Sequence, residues 1–209
     1  MSDTREYRSP VRDQAKVATR EKIVDAVVRV VLDDGIHAFT VQNVADKAGV
    51  SHRTVYRHFK TREELLAGLA ASLEAKAEEA SLPSYPVTVD DIINAVGPSF
   101  EAMGEGEDQV RAYIITSIAM QWQDEPRQRR TQVYNRVMRA RFPHLSSGEV
   151  REAGALIRSV SGSRSWYQLT FEGGLDSKAA ARAADWATRV LFKELRRRDQ
   201  AAAKRTNGS

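Results

Sequence analysis

A dense cluster of side chains that could bind a polyanion lies between residues 51 and 62. This stretch reads SHRTVYRHFKTR and contains no carboxylate. Arg53 and Arg57 are four residues apart, so a helix would place both on one face. Guanidinium, hydroxyl, phenol and imidazole groups donate hydrogen bonds to phosphate oxygens and guanine edges. The residue types indicate contact with nucleic acid, although a solvated basic helix on an unrelated bundle would also display them.

The preceding residues predict a short helix that ends in a tight turn. Residues 41, 44, 45 and 48 are apolar and follow the i, i+3, i+4, i+7 spacing of a buried helical face, with Thr40 as N-cap. Gly49 suits the left-handed position after that helix, and Ser51 can cap a second one. Val55 and Phe59 then point inward one turn apart. Two short helices joined by a glycine turn favour a helix-turn-helix over the unrelated bundle.

Basic residues continue into the helix that follows. Lys60 and Arg62 stand at its start, where backbone N–H groups also favour phosphate, and Thr61 with Glu64 has the spacing of a capping box. Residues 1–62 hold 12 basic and 8 acidic side chains, whereas the remainder holds 20 of each. The whole excess of +4 therefore lies with the helix-turn-helix, as expected for a nucleic-acid module attached to a neutral body.

The composition and motifs of the sequence argue against several other kinds of protein. The sequence has no cysteine and four histidines that form no metal-ligand cluster, so we expect no metal and no cofactor. It has no apolar run near the roughly 18 residues of a membrane helix, and its N-terminus has no secretory core, which predicts a cytoplasmic protein without membrane contact. An enzyme is the remote alternative, because no nucleophile elbow or phosphate loop is present.

Helical periodicity and turn residues divide the chain into five parts, and no strand pattern is sustained. We expect an all-α fold of about nine helices: a three-helix DNA-binding domain followed by a body for ligand binding and dimerisation. The parts are a flexible arm at 1–14, the helix-turn-helix domain at 15–62, a connecting helix at 63–82, the body at 83–200 and a disordered tail at 201–209. The arm carries Arg5, Arg8 and Arg12, which either touch DNA or have no role.

Helix boundaries follow from caps and breakers. The first helix is predicted over 16–34 and stops at Gly35, and the prolines at 83 and 86 mark the junction with the body. In the body, helices are predicted from Thr88/Asp91 to Gly104 or Gly106, over 108–123 and over 126–141, then from the Ser146/Glu149 box to Gly173, and from Asp176 to about residue 198.

The last two predicted helices are apolar on several sides. Leu156, Ile157 and Trp166 lie in one, and Val190 and Leu191 lie in the other. A helix that is apolar all round needs neighbours all round, so we predict a homodimer built on these two helices. The alternative is a monomer whose core they fill.

The first 80 or so residues resemble the DNA-binding domain of the TetR family of transcriptional regulators. The matching residues are Thr19-Arg20, Asp34-Gly35, Thr40-Val41, Val44-Ala45, Ala48-Gly49-Val50-Ser51, Thr54-Val55-Tyr56, His58-Phe59 and Glu63-Glu64-Leu65-Leu66. The sequence departs from the family at Arg53, where a small residue is common, and at Val31, where an aromatic is common. Beyond residue 80 only the architecture and the turn at 172–176 are similar.

The resemblance implies a homodimer that binds palindromic operator DNA and represses promoters until a small-molecule effector lowers its DNA affinity. An activator, or a regulator without a small-molecule ligand, is the alternative. We assign base reading to Arg53, Thr54, His52 and Gln42. Phosphate contacts are assigned to Tyr56, His58, Lys60 and Arg62. The DNA-binding residues expected are Thr40, Val41, Gln42, Ser51, His52, Arg53, Thr54, Tyr56, Arg57, His58, Lys60 and Arg62.

Polar groups on otherwise apolar helix faces indicate where an effector could bind, because burying them unpaired is unfavourable. Arg164 is the clearest of these positions, and either an internal carboxylate or an anionic ligand would neutralise its charge. The aromatic and methionine residues are either pocket wall or plain core. The ligand-binding residues expected are Phe100, Met103, Ile114, Ser117, Met120, Gln121, Trp122, Met138, Arg164, Trp166 and Gln168.

Overall fold

Helices joined by turns, with no strand, make up the residues described by the computed structural model, which are 10–80, 82, 85–122 and 125–207. The predicted all-α class is confirmed, and this part of the chain contains ten α-helices rather than about nine. In chain order they are α1 Pro10–Arg29, α2 Val41–Ala48, α3 His52–His58, α4 Arg62–Glu79, α5 Val89–Glu105, α6 Glu107–Ala119, α7 Glu125–Arg141, α8 Ser147–Ser161, α9 Ser163–Tyr167 and α10 Ser177–Asn207. Two π-helical turns, Val30–Asp34 and Gln168–Glu172, extend α1 and α9.

The N-terminal helices α1 to α3 and the start of α4 enclose one apolar core. Ile23 and Val27 of α1, Val44 of α2, Val55 of α3 and Leu65 of α4 are all inaccessible to solvent. Each of these side chains comes from the face that apolar spacing predicts. Burial of these faces against one another fixes the angle at which α3 leaves the turn, and so fixes what α3 presents to solvent.

The body contains two apolar cores that share the long helix α10. One lies among α5, α6, α9 and α10 and includes Phe100, Ile114 and Trp166. The other lies among α5, α7, α8 and α10 and includes Met138 and Phe192. Helix α5 packs along α10, and α7 packs on α8.

The helix α6 joins the body to the N-terminal core. Ala112 is buried among the N-terminal apolar residues, and Met120 packs against them. Val110 and Ile114 of the same helix belong to the body core at α9 and α10. A displacement of α6 would therefore change the packing of both the N-terminal core and the body core at α9 and α10.

The prediction of a single helix from Ser146 to Gly173 is wrong, because the helix is interrupted at Gly162. The Gly162 backbone is extended, with φ −96° and ψ 170°, so α8 ends at Ser161 and α9 restarts at Ser163. A side chain at this glycine would begin 2.7 Å from the carbonyl oxygen of Arg158. Gly162 lies between two serines, and these residue types favour helix ends over helix interiors.

Both chain ends are more helical than predicted. Helix α1 starts at Pro10, because proline is tolerated in a first turn, so residues 10–14 are not part of a flexible arm. Helix α10 continues to Asn207, which contradicts a disordered tail from residue 201. The parts of those predictions at 1–9 and 208–209, with Arg5 and Arg8, lie outside the described residues, as does the side chain of Arg12.

Three of the predicted helix caps have the following geometry. Thr88/Asp91 and Ser146/Glu149 form complete capping boxes, and their backbone and side-chain hydrogen bonds lower the pKa of Asp91 and Glu149. At α4 the Thr61 hydroxyl accepts from the Glu64 N–H, but the Glu64 carboxylate accepts from the N–H of Lys60, so the box is displaced by one residue.

Helix α6 ends earlier than the predicted 108–123. Met120 is its C-cap, and Gln121 takes φ 49°, which ends the helix. The first proline of the predicted junction lies outside the described residues. No helix in the described ranges is long and apolar enough to cross a membrane.

Candidate nucleic-acid interface

Helices α2 and α3 form the predicted helix-turn-helix. The Thr40 hydroxyl accepts a hydrogen bond from the Asn43 N–H at 3.2 Å and caps α2. Gly49 ends α2 in the left-handed conformation with φ 62°, which a side chain at that position would disfavour. The Ser51 hydroxyl then accepts from the Thr54 N–H at 3.1 Å and starts α3. The change of direction between the helices is fixed by these three residues.

The exposed side of α3 carries four donor residues, which we call the recognition face: His52, Arg53, Tyr56 and Arg57. All four are exposed, and Tyr56 is 53% accessible although it is aromatic. The rings of His52 and Tyr56 lie 5.8 Å apart. Neither arginine of this face forms an ion pair with any described residue. Their hydrogen-bond donors are therefore available for an external acceptor.

Other predicted DNA residues build or flank this face. The hydroxyls of Ser51 and Thr54 are 2.8 Å apart, so they support the α3 N-terminus. Gln42 is exposed, but its amide donates to Asp46 at 2.9 Å, a bond that must break before Gln42 reads a base. Val41 is partly buried, and Thr40 is exposed as the α2 cap.

Lys60 and Arg62 are exposed beyond the end of α3. The Arg62 guanidinium lies 5.1 Å from the centre of the Phe39 ring, which holds it at the N-terminus of α4. A cation at this place and the free N–H groups of a helix start both suit a phosphate. The predicted phosphate role of both residues is consistent with this position and stays a prediction.

His58 is not presented with the recognition face, which corrects its predicted accessibility. Its side chain is partly buried, and the Nε2 atom is enclosed without a hydrogen-bond partner among the described residues. Burial lowers the pKa of the imidazole, and the charge of Arg57 lowers it further. Lys16 and Arg20 of α1 act in the same direction. Because the charges of Lys16 and Arg20 act on it, the imidazole lies on the side of α3 that faces α1.

His58 predicts a loss of stability in mild acid. The folded protein holds the His58 pKa below the unfolded value of 6.5, so the unfolded chain binds the proton more readily. The stabilising effect of neutral His58 is present above that value and is lost as the pH falls below it. Denaturant titration should show the free energy of unfolding falling from about pH 7.5 to about pH 5.5, and falling less in His58→Gln. The exposed His52→Gln is the control, and a native pH dependence in His58→Gln would contradict the buried neutral imidazole.

Two residues that support α3 were not predicted from the sequence. The Arg20 guanidinium of α1 lies 4.2 Å from the centre of the Phe59 ring, at the end of α3. The edge of the same ring lies against α4, where a Cβ at Gly68 would be 2.5 Å from Phe59 Cε1. Gly68 was detectable as a lone glycine inside an otherwise helical pattern, which often marks a close approach.

The predicted ligand residues are divided among several places in the body. Phe100, Ile114 and Trp166 share the core at α9 and α10, with Met103 at its edge. Met120 packs against the N-terminal core, and Met138 lies in the other body core. Ser117 is buried, and its hydroxyl donates to the Ile114 carbonyl at 3.0 Å. Trp122 meets Tyr113 edge to face at 6.2 Å. The full set therefore does not form one site.

Arg164 and Gln168 are exposed, contrary to the expectation that these polar residues lie on an otherwise apolar stripe of one helix. The break at Gly162 interrupts the helical register, so that stripe does not continue into α9. In α9 the inward residue is Trp166, and a residue two positions away points to the opposite side. Gln121 is also exposed, at the end of α6.

A group of apolar side chains on α8 and α10 faces solvent, and we call it the α8/α10 patch: Leu156, Trp186 and Val190. They are 48%, 69% and 48% exposed. Leu156 and Val190 were expected to need neighbours, whereas Trp186 was missed, although it lies one turn before Val190. Exposed apolar patches on helices mark interaction surfaces.

Two open clefts lie away from the predicted ligand residues. One of ≈ 420 Å³ runs between α1 and α6, and another of ≈ 390 Å³ runs along α10 beside Val190. The first is lined by Lys22, Asp25, Val28, Arg29, Asp108 and Gln109. The described residues contain no group of three or more histidine and acidic side chains that could hold a metal ion.

A helix-turn-helix with an exposed basic second helix, carried on a separate helical body, defines a DNA-binding protein of the regulator class. Residues 23–69 match the model of the family described as "Bacterial regulatory proteins, tetR family". The N-terminal domain of the chain therefore matches this family, as its residues predicted.

Known relatives resemble this chain chiefly at its N-terminus. The tetracycline repressor protein class D of Escherichia coli is 34% identical over 65 residues, which are 31% of this chain and 30% of that protein. This chain therefore matches less than a third of the length of that curated relative.

Solved structures share the fold over most of the chain. A TetR family transcription regulator from Marinobacter aquaeolei VT8 has a TM-score of 0.58 at 19% identity and covers 84% of this chain and 97% of its own. The transcriptional regulator FadR from Bacillus subtilis, in complex with stearoyl-CoA, has a TM-score of 0.52 at 19% identity and covers 80% and 96%.

Proposed function

We propose that this protein is a transcriptional repressor that binds palindromic operator DNA as a homodimer and is released by a small-molecule effector. The single observation that carries the proposal is the recognition face. Four exposed donor side chains, two of them unpaired guanidinium groups, stand on the second helix of a capped helix-turn-helix. Arginine is the side chain that pairs most often with guanine through two hydrogen bonds.

Homodimerisation through the last helices fits the α8/α10 patch. A second copy placed across a two-fold axis would cover Trp186 and Val190 with the same residues of its own α10. Such an arrangement ties two recognition helices together, and binding of the second helix then becomes intramolecular. The operator would accordingly have two inverted half-sites.

Release by an effector fits the position of α6. This helix contributes Ala112 to the N-terminal core and Ile114 to the body core. A molecule that entered the body core would shift α6 and, with it, the α1 surface that supports α3. To reverse the occupancy of DNA fully, the effector must favour the non-binding state by about 5.5 kcal/mol. The stearoyl-CoA of the Bacillus subtilis structure is the ligand of that protein. It supports the proposal to the extent that a protein of this fold holds a small-molecule ligand.

Substitutions of Arg53 and Lys60 are expected to affect binding to operator DNA and to random DNA differently. Arg53→Ala should cost roughly 1–3 kcal/mol on the operator and relax the preference at one base pair, because Arg53 reads a base edge. Lys60→Ala should weaken operator and random DNA alike and reduce the salt slope by about one, because Lys60 contacts phosphate. Fluorescence anisotropy at several salt concentrations measures both. If Arg53→Ala lost affinity equally for operator and random DNA, Arg53 would not be a base-reading residue.

Footprinting with and without a crude metabolite mixture tests the regulatory part of the proposal. A repressor of this kind protects a palindromic site and loses the protection when the effector is present. Protection that no metabolite removes would indicate a regulator without a small-molecule ligand. Stimulation of transcription from the protected promoter would indicate an activator, and absence of any footprint would contradict DNA binding.

A further inference from the structure

We propose that the body core among α5, α6, α9 and α10 binds a small organic anion whose carboxylate is held by Arg111 and Trp166. This inference rests on the effector response proposed above and adds to it a location and a chemical class. Arg111 was not among the predicted ligand residues, and Trp166 was predicted only as apolar wall.

The π-helical turn Gln168–Glu172 brings the two donor residues to one place. Its Phe171 ring lies 4.9 Å from the Arg111 guanidinium carbon and 5.8 Å, edge to face, from the Trp166 indole. Tyr167 meets the same ring at 5.0 Å. A guanidinium on α6 and an indole on α9 therefore meet at a single aromatic side chain. Short π-helical turns inside helices occur frequently at functional sites.

Both donors at this place lack an acceptor. Trp166 is inaccessible to solvent, and its Nε1–H has no hydrogen-bond partner among the described residues. The Nε–H of Arg111 is enclosed and equally unsatisfied, and no ion pair joins Arg111 to an acidic side chain in the described ranges. An enclosed donor without an acceptor is unfavourable, so a site that keeps two of them is suited to a ligand that supplies the acceptor.

The surroundings define the rest of the ligand. Phe100 and Ile114 are buried in the same core, and Val96 lies beside them on α5. These side chains suit an apolar body, whereas a carboxylate can accept from both N–H groups and balance the guanidinium. Phe171 is 37% exposed, so this end of the site borders solvent. The class is thus an apolar carboxylic acid in its ionised form.

Isothermal titration calorimetry on the full chain tests the inference with matched acids and alcohols. The probes are 2-naphthoate and 2-naphthylmethanol, and decanoate and 1-decanol. At least one acid should bind the native protein roughly tenfold or more tightly than its alcohol, since a hydrogen bond to a charged group adds about that factor. Absence of binding by both acids, or equal affinity of acid and alcohol in both pairs, would overturn the proposal.

Three variants locate the site. Arg111→Met keeps an unbranched side chain but removes the charge, and it should remove the preference for the acid. Trp166→Phe removes one N–H and should lower the affinity of the acid more than that of the alcohol. Arg151→Met removes an exposed cation from α8 and should leave the preference unchanged. The assignment would be overturned if Arg111→Met kept the native circular dichroism spectrum and still bound the acid more tightly than the alcohol.

DNA binding in the same samples separates this inference from the proposed function. Acid binding that depends on Arg111 but does not release operator DNA would support the site and contradict effector release by this ligand class. Operator release by some other molecule, with no preference for acids, would support the repressor and overturn the anion site.

Discussion

A Trp186→Asp variant is expected to sediment as a monomer and to bind operator DNA roughly 10²–10⁴-fold more weakly than the native protein. Trp186 is 69% exposed, and with Val190 it forms the apolar stripe on the outer side of α10. An aspartate at the centre of a two-fold contact would bury one carboxylate opposite its own copy, and a buried unpaired charge is strongly unfavourable. A monomer keeps an intact recognition face but loses the intramolecular second binding event.

Analytical ultracentrifugation and operator anisotropy on the same samples measure this effect. Val87→Asp is the matched control, because Val87 is 82% exposed just before α5 and outside the α8/α10 patch. The Val87→Asp protein should remain dimeric and keep the native DNA affinity. A Trp186→Asp protein that stays dimeric, or a native protein that is already monomeric, would show that the α8/α10 patch has another partner.

Replacing Gly68 with alanine is expected to destabilise the protein by roughly 1–3 kcal/mol, because the added methyl group overpacks the core. The new Cβ would lie 2.5 Å from Phe59 Cε1 and 2.9 Å from Phe59 Cζ. Phe59 is buried and its ring also contacts the Arg20 guanidinium, so the ring has little room to move without displacing the end of α3. Operator affinity should fall together with stability.

Denaturant unfolding measures the change in stability, and Gly148→Ala is the control. Gly148 also lies in a helix, but a Cβ there would be 3.8 Å from the Ser146 hydroxyl, an ordinary contact. Alanine at that position should be neutral or stabilise by up to about 1 kcal/mol, as it does in helices generally. If Gly68→Ala were as stable as Gly148→Ala, the packing of Phe59 would not be what orients α3.

The helix-turn-helix was predictable because its determinants are local. Thr40, Gly49 and Ser51 act within a few residues of themselves, and the burial of Val55 follows from helical period alone. The direction of His58 was not predictable, because it depends on α1, which is far away in the sequence.

The body was less predictable because its determinants are tertiary. Gly162 interrupts a sequence that continues apolar periodicity on both sides, and the periodicity hides the break. The extension of α10 through residues 201–207 follows from helix-forming alanines that resemble a polar tail in composition alone. The convergence of Arg111 and Trp166 on Phe171 needs the packing of α6 on α9, which no sequence spacing records.

Selection of binding sites from randomised DNA by the full chain tests the central claim most directly. If paired recognition faces read the operator, the enriched sequences should contain two inverted copies of one motif, with centres about 34–36 Å apart or a multiple of that distance. Enrichment should be lost when Arg53 is replaced by alanine. Recovery of no sequence above the random background, or of a single unpaired motif bound equally well by Arg53→Ala, would contradict it.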